Sequence, residues 1–298
     1  MARLIECVPN FSNGRDKELI EKIVDEVRKE ENVKLLDYSS DKDHNRTVVT
    51  FIGEPENVLN AAFNACKKAS ELIDMTVHTG EHPRMGATDV IPLIPISDIT
   101  EKEAVDMSKE LGKRIGEELN IPVFLYEKSA TASYRENLAD VRRGQYEGMA
   151  DKLKEDKWAP DFGPAKLNIK SGVTAVGVRM PLVAFNVNLD TDDLSIAKKI
   201  AKAVRGSNGG YRYCKALGVE ITERNIVQVT MNMVDYTRTP LYRVFDTIER
   251  EANRYGVNVI GSEIIGLVPM AALIDCADYY LKIENFSHNQ ILEKRIFE

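Results

Sequence analysis

The stretch Leu182-Val183-Ala184-Phe185-Asn186-Val187-Asn188-Leu189 decides the fold. It is a short, mostly apolar run with a β-branched and aromatic bias, which reads as a strand. From it the spacing predicts a helix over 193–204, a weak strand near 219–221, a strong strand over 226–234, a helix over 240–255 and a strand over 257–260. The first part of the chain runs in the same order. A strand over 3–8 is followed by a helix over 16–30, strands over 33–38 and 47–52 around a polar turn at 39–46, a helix over 58–73 and a strand over 90–94. Leu19, Ile20, Ile23, Val24 and Val27 give the first helix its apolar face. Two β-α-β-β-α-β series are the split βαβ plan of ferredoxin-like subdomains. The expectation is an α/β (α+β) chain of two such subdomains, 1–180 and 181–298, with mixed sheets facing each other across a crevice and helices outside. Between the two series lie a helix over 101–119, a strand over 122–126 and a charged helical stretch over 131–157 that carries Arg142-Arg143. A poorly periodic segment over 158–172 reads as a long functional or connecting loop, and a strand over 173–178 closes this part.

The 298 residues, 43% of them hydrophobic, suffice for two cores. A formal net charge of -7 lacks the basic footprint of a nucleic-acid binder, so an anionic ligand needs a local basic cluster. Cys7, Cys66, Cys214 and Cys276 are scattered and form no C-x-x-C pair, which fits free thiols in a reducing compartment. The first residues lack the apolar core of a signal peptide, and Ser262 and Glu263 interrupt the most apolar C-terminal stretch. A cytoplasmic protein with no membrane partner is expected.

The chemistry concentrates in His78-Thr79-Gly80-Glu81-His82-Pro83-Arg84-Met85-Gly86-Ala87-Thr88-Asp89. Glycine and proline forbid a regular helix here, so this is a shaped loop carrying ionisable groups, and histidine is the default proton carrier near neutral pH. His78-x-x-Glu81-His82 matches an inverted zincin pattern. That chemistry needs both histidines on one helix face, which Gly80 and Pro83 disfavour, so no metal is expected. His78 is read equally as a histidine bonded within a buried turn. The loop over 39–47 is either a solvated hairpin turn or an anion-binding rim with Arg46 aimed at the crevice. Its Asp41-x-Asp43-x-Asn45 run lacks the later glycine and glutamate of a calcium loop. Gly172 and Gly177 bracket a strand without forming a dinucleotide fingerprint, and neither a phosphate loop nor a G-x-S-x-G elbow occurs.

Several blocks in this order resemble one family. They are Glu6-Cys7-Val8-Pro9-Asn10-Phe11-Ser12, Asn45-Arg46-Thr47-Val48, His82-Pro83-Arg84-Met85-Gly86-Ala87, Trp158-Ala159-Pro160-Asp161-Phe162-Gly163-Pro164, Ala184-Phe185-Asn186-Val187-Asn188-Leu189 and Gly261-Ser262-Glu263-Ile264-Ile265-Gly266-Leu267-Val268-Pro269. Together they resemble the glutamate formimidoyltransferase family, the transferase part of formimidoyltransferase-cyclodeaminase. The resemblance implies transfer of a formimidoyl group from N-formimidoyl-L-glutamate to N5 of tetrahydrofolate, within histidine degradation. It implies tetrahydrofolate as co-substrate, a homodimer, and His82 as the catalytic histidine. It also implies a folate-binding stretch of Gly163, Pro164, Ala165, Lys166, Leu167, Asn168, Ile169, Lys170, Ser171 and Gly172. Where the family often carries an acidic residue this chain has Ser39, with Asp37 and Asp41 nearby, and a separate cyclodeaminase is expected to act on the product.

One imidazole with an ordinary pKa of about 6.5 can take a proton from N5 and return it to the departing nitrogen. Arginine grips carboxylates bidentately, so at least one of Arg46, Arg84 and Arg179 is expected to hold the donor. Lys166 and Lys170 either meet the glutamate tail of folate or are solvated. Two other readings stay open. One is formyl transfer between 5-formyltetrahydrofolate and glutamate, and the other is a non-catalytic folate-binding protein.

Overall fold

The computed structural model describes residues 2–297 and divides after Arg179 into two units, each built on its own sheet. The first unit opens with β1 (Leu4–Cys7), β2 (Asn10–Phe11), α1 (Lys17–Arg28), β3 (Val33–Asp41), β4 (Arg46–Gly53), α2 (Pro55–Leu72) and β5 (Thr88–Ser97). β4 pairs antiparallel with β1 and β3, and β1 with β5, which gives the order β3-β4-β1-β5 of a split βαβ sheet. The first strand is interrupted at Pro9, which has no N–H to donate. Pairing resumes at β2, between β4 and β5. α1 starts where the Asp16 side chain accepts from the Leu19 amide, and it buries Ile20, Ile23, Val24 and Val27.

β4 shows how the sheet sorts its faces. Thr47, Val49 and Phe51 are buried toward the helices, while Arg46, Val48, Thr50 and Ile52 alternate onto the other face. The unit is then extended by α3 (Glu101–Leu119), β6 (Val123–Glu127), α4 (Leu138–Val141), α5 (Gln145–Lys152) and β7 (Thr174–Val178). β7 lies parallel to both β5 and β6, completing a mixed seven-stranded sheet. Val123, Leu125, Val176 and Val178 join the core under α1–α3. Phe124, Tyr126, Ala175 and Val90 point the other way and pack with Val141, Met149, Leu153 and Trp158. The β5-β7-β6 half is thus covered on both sides.

The charged stretch over 131–157 is not the continuous helix its composition suggests. Asn137 caps α4, and the buried Lys152 ammonium donates to the carbonyls of Asp140, Val141 and Arg143, so the helix stops there. Lys152 in turn lies 3.8 Å from the centroid of Trp158.

The second unit runs β8 (Val183–Leu189), α6 (Leu194–Val204), β9 (Cys214–Ile221), β10 (Ile226–Met233), α7 (Leu241–Asn253), β11 (Val259–Ile265), α8 (Met270–Leu281) and α9 (Leu292–Phe297). Its order β11-β8-β10-β9 is again ferredoxin-like, but every pairing is antiparallel, so only the first sheet is mixed. The reason is topological. Each β-α-β crossover leaves one gap between its parallel strands, and an antiparallel strand fills it. β8 and β10 send Val183, Phe185, Val187, Leu189, Val227, Val229, Met231 and Met233 into one core, together with residues of α6 and α7. β9 extends well beyond its weak sequence signal, and α8, started by Pro269, lies beyond the last element that the spacing predicts. Among the described residues no helix is long and apolar enough to cross a membrane.

Candidate active site

The loop between α2 and β5 carries His82 to the helix-free face of the first sheet, where Arg46 stands at the start of β4. Arg46 Nη1 lies 3.4 Å from His82 Nδ1. A guanidinium only donates, so we assign Nδ1 as the acceptor and Nε2 as the protonated nitrogen. Nε2 is buried, has no hydrogen-bond partner among the described residues, and stands 3.9 Å from Asp89 Oδ2. Asp89 is itself buried and doubly held. Its Oδ1 accepts from the Met85 amide at 3.0 Å, and its Oδ2 is ion-paired with Arg142. The Arg142 Nε is a second buried donor without a partner among the described residues. A pair of unpartnered N–H groups beside two guanidiniums suits an anionic or carbonyl-bearing ligand.

The same surroundings set protonation. Burial, with the positive charges of Arg46, Arg142, His44 and Arg84, pushes His82 down to about 2, so the imidazole is neutral at physiological pH. Burial and Arg142 likewise lower Arg46 from its ordinary value. The His44 ring, 6.3 Å from that of His82, is held by Asp41, whose Oδ1 accepts from the His44 amide at 2.8 Å. Against the burial that would raise it, hydrogen bonds from His44 hold the Asp41 carboxyl below its usual range. Asp37, Ser39 and Asp41 pair across β3–β4 with Thr50, Val48 and Arg46, which puts all three on the His82 face.

Arg84 departs from its expected role as a carboxylate ligand for substrate. It is buried, and its guanidinium is spent on Glu147 at 2.6 and 2.9 Å, Gln145 at 3.1 Å and His78 Nδ1 at 3.1 Å. Once Glu147 supplies the carboxylate, a second one has no donors left to meet. His78, whose Nε2 lies 3.2 Å from Asn45 O, belongs to this structural cluster rather than to the His82 site. Arg179 follows β7 and stands by Leu93, Glu6 and Tyr126, along the same sheet but nearer the far end of β5.

The stretch from Gly163 to Gly172 forms a strap. Its entry is anchored by buried Arg135, which pairs with Asp161 at 2.8 Å and donates to the carbonyls of Lys157 and Ala159. Gly163, Pro164, Ala165 and Lys166 are exposed, as are Ile169 and Lys170, while Ser171 and Gly172 are buried. Leu167 packs partly buried against the second core of this unit, and Asn168 binds the end of α3 through Asn120 O. The Lys170 amine donates to Glu71 O at 2.6 Å, so it is not a loose surface charge. The strap reaches the histidine loop from behind. Ala87 N donates to Ser171 O, and Gly86 bridges Gly172. A Cβ on Gly86 would stand 2.1 Å from Val173 O, and one on Gly172 (φ +73°) 2.2 Å from Met85 O, so only glycine permits this backbone contact. The sequence pattern pointed to His82 and Arg46 but gave no role to Asp89 or Arg142. The signal available for Arg142 was an arginine pair inside an otherwise solvated stretch.

Comparison with known proteins shows the family. The Formiminotransferase domain, N-terminal subdomain, matches residues 4–179, and the Formiminotransferase domain matches residues 184–296. The chain belongs to the formiminotransferase family and is a transferase. It is 59% identical to a glutamate formimidoyltransferase of Streptococcus pyogenes serotype M1, with 99% of each chain covered. It is 46% identical to one of Thermoplasma acidophilum, covering 98% of this chain and 97% of that one. The formimidoyltransferase-cyclodeaminase of Dictyostelium discoideum shares 46% identity over 99% of this chain, which spans 56% of that protein.

Proposed function

We propose that this enzyme transfers the formimidoyl group from N-formimidoyl-L-glutamate to N5 of tetrahydrofolate, releasing L-glutamate, with His82 as the proton carrier. The observation that carries the assignment of roles is His82 itself. It is a neutral, buried imidazole held between Arg46 on Nδ1 and Asp89 toward Nε2. N5 attacks the amidine carbon, and the C–N bond to glutamate breaks from the tetrahedral adduct. N5 must lose one proton and the departing nitrogen must gain one. When the donor's carboxylates draw Arg46 onto themselves, Nδ1 is released as a base, and the added negative charge raises the imidazole from its depressed value. Asp89, pinned by Arg142 and the Met85 amide, then steadies the Nε2–H side of the ring. Holding both reactants in place supplies up to about 7–11 kcal/mol more.

Arg46 is the donor-binding arginine in this reading, Arg84 a positioning residue, and Arg179 a further anion contact along the face. The strap from Gly163 to Gly172 contacts tetrahydrofolate, with Lys166 its available cation. The exposed apolar residues Leu267, Met270, Leu273 and Leu281 at α8 support a homodimer. A cyclodeaminase activity takes the product in the cytoplasm, as the paired name of the Dictyostelium relative suggests.

The test is product analysis with tetrahydrofolate and N-formimidoylglutamate, run beside 5-formyltetrahydrofolate plus glutamate. Formation of 5-formimidoyltetrahydrofolate is expected. Turnover confined to the formyl pair overturns the donor assignment, and turnover of neither overturns the reaction.

A further inference from the structure

Arg142, which pins Asp89 beside His82, does not stand on a long regular element. It follows α4, a helix of 4 residues. The chain then turns through Gly144 (φ +94°) and Gln145 (φ +52°), both left-handed, as α5 begins. So short a helix is not stable by itself, and a left-handed glutamine carries backbone strain. A group outside the turn has to hold it.

That group is the ammonium of Lys152, the last residue of α5. It donates to Val141 O at 2.6 Å, Asp140 O at 2.8 Å and Arg143 O at 3.2 Å, so its three N–H groups all go to carbonyls that flank Arg142. The carbonyl it leaves out, Arg142 O, already accepts from the Gln145 amide at 2.7 Å. Lys152 is only 8% exposed. Burial, and next the charge of Arg143, lower its amine to about 8, the sign of a cation held at a cost. Stability alone does not call for such a group, since a buried charge is often replaced by apolar side chains without loss.

We infer that Lys152 is a positioning residue for the proton transfer: by clamping the carbonyls around Arg142 it aims that guanidinium at Asp89, and through Asp89 it sets the ring of His82. The inference rests on the His82 reading above. Without the clamp the turn relaxes and Arg142 leaves Asp89. The Asp89 carboxylate then acts on the imidazole unopposed and raises it. The other charges that face the ring, Arg46, His44 and Arg84, belong to other segments of the chain.

The test is a double-mutant cycle. Turnover of N-formimidoylglutamate with tetrahydrofolate, its pH profile and urea unfolding are measured for wild type, K152M, R142M and the double variant. R142M is expected to lower kcat about 10–100-fold and K152M about tenfold. Both are expected to move the acid limb of kcat/KM to higher pH. In the R142M background, Lys152→Met is expected to change kcat by less than about twofold, although it still lowers the urea midpoint. Wild-type kcat and acid limb in K152M overturn the assignment. An equal loss from Lys152→Met in both backgrounds also overturns it and makes Lys152 a structural cap alone. If K152M does not fold, Lys152→Gln, which keeps two N–H donors and loses the charge, is read by the same cycle. Unchanged kcat in R142M removes Arg142 from the site reading itself, and this assignment falls with it.

Discussion

The faces of the two sheets turned away from their crossover helices share a topology and differ in chemistry. On the first, the charged Arg46, Asp89 and Arg142 surround the neutral His82 and leave two buried nitrogens without partners among the described residues. On the second, Asn186, Asn188, Gln228 and Thr230 are neutral and bonded mainly to one another and to Glu263. The contrast separates two demands. Moving a proton requires groups whose charge can change and whose bonding is incomplete, at a cost in stability. Holding strands in register requires fixed donors and acceptors, which a satisfied network provides.

The sharpest way to break the comparison is His82→Ala. Turnover is expected to fall about 10²–10⁴-fold in steady-state assays while the thermal transition stays near that of wild type. A large loss of stability with modest loss of turnover would place His82 among structural residues. Asp89→Asn should follow with about a 10–100-fold loss in kcat and an altered pH profile, since Arg142 loses its counter-charge and the ring its support. Unchanged kcat and profile would remove Asp89 from the chemistry. On the other face, Asn186→Ala should cost about 1–3 kcal/mol in denaturant unfolding, because the Thr230 hydroxyl and the Met231 amide lose their acceptor. A neutral result would mean that network is loosely held.

The smallest effect concerns pH. His82 is pushed down to about 2 in the folded protein, against about 6.5 unfolded. Between those values the unfolded chain binds more protons, so stability falls as pH drops through about 6.5, by at most about 1.4 kcal/mol per pH unit for this one group. His82→Asn should flatten part of that slope in urea titrations. His78, also depressed by burial, supplies another part.

The repeated strand–helix order was legible because each element buries one face and therefore repeats at period two or near four. Residues 19–27 and 226–233 show this plainly. What was not legible depended on partners far away in sequence. The stretch around Arg142 looks solvated until Asp89, 53 residues earlier, is seen to pair with it. Arg84 looks like a substrate ligand until Glu147, 63 residues on, occupies it. α8 escaped because its apolar residues remain exposed in a single chain, which blurs the one-sided pattern of a surface helix.

The contact between Gly86 and Gly172 has a mechanical consequence. With no side chain between them, the loop bearing the imidazole and the strap behind it are riveted at one point, four residues from His82. A tug on the strap by an arriving molecule is felt at the ring, and a single added methyl would prise the two apart, silencing turnover with every reacting atom still in place.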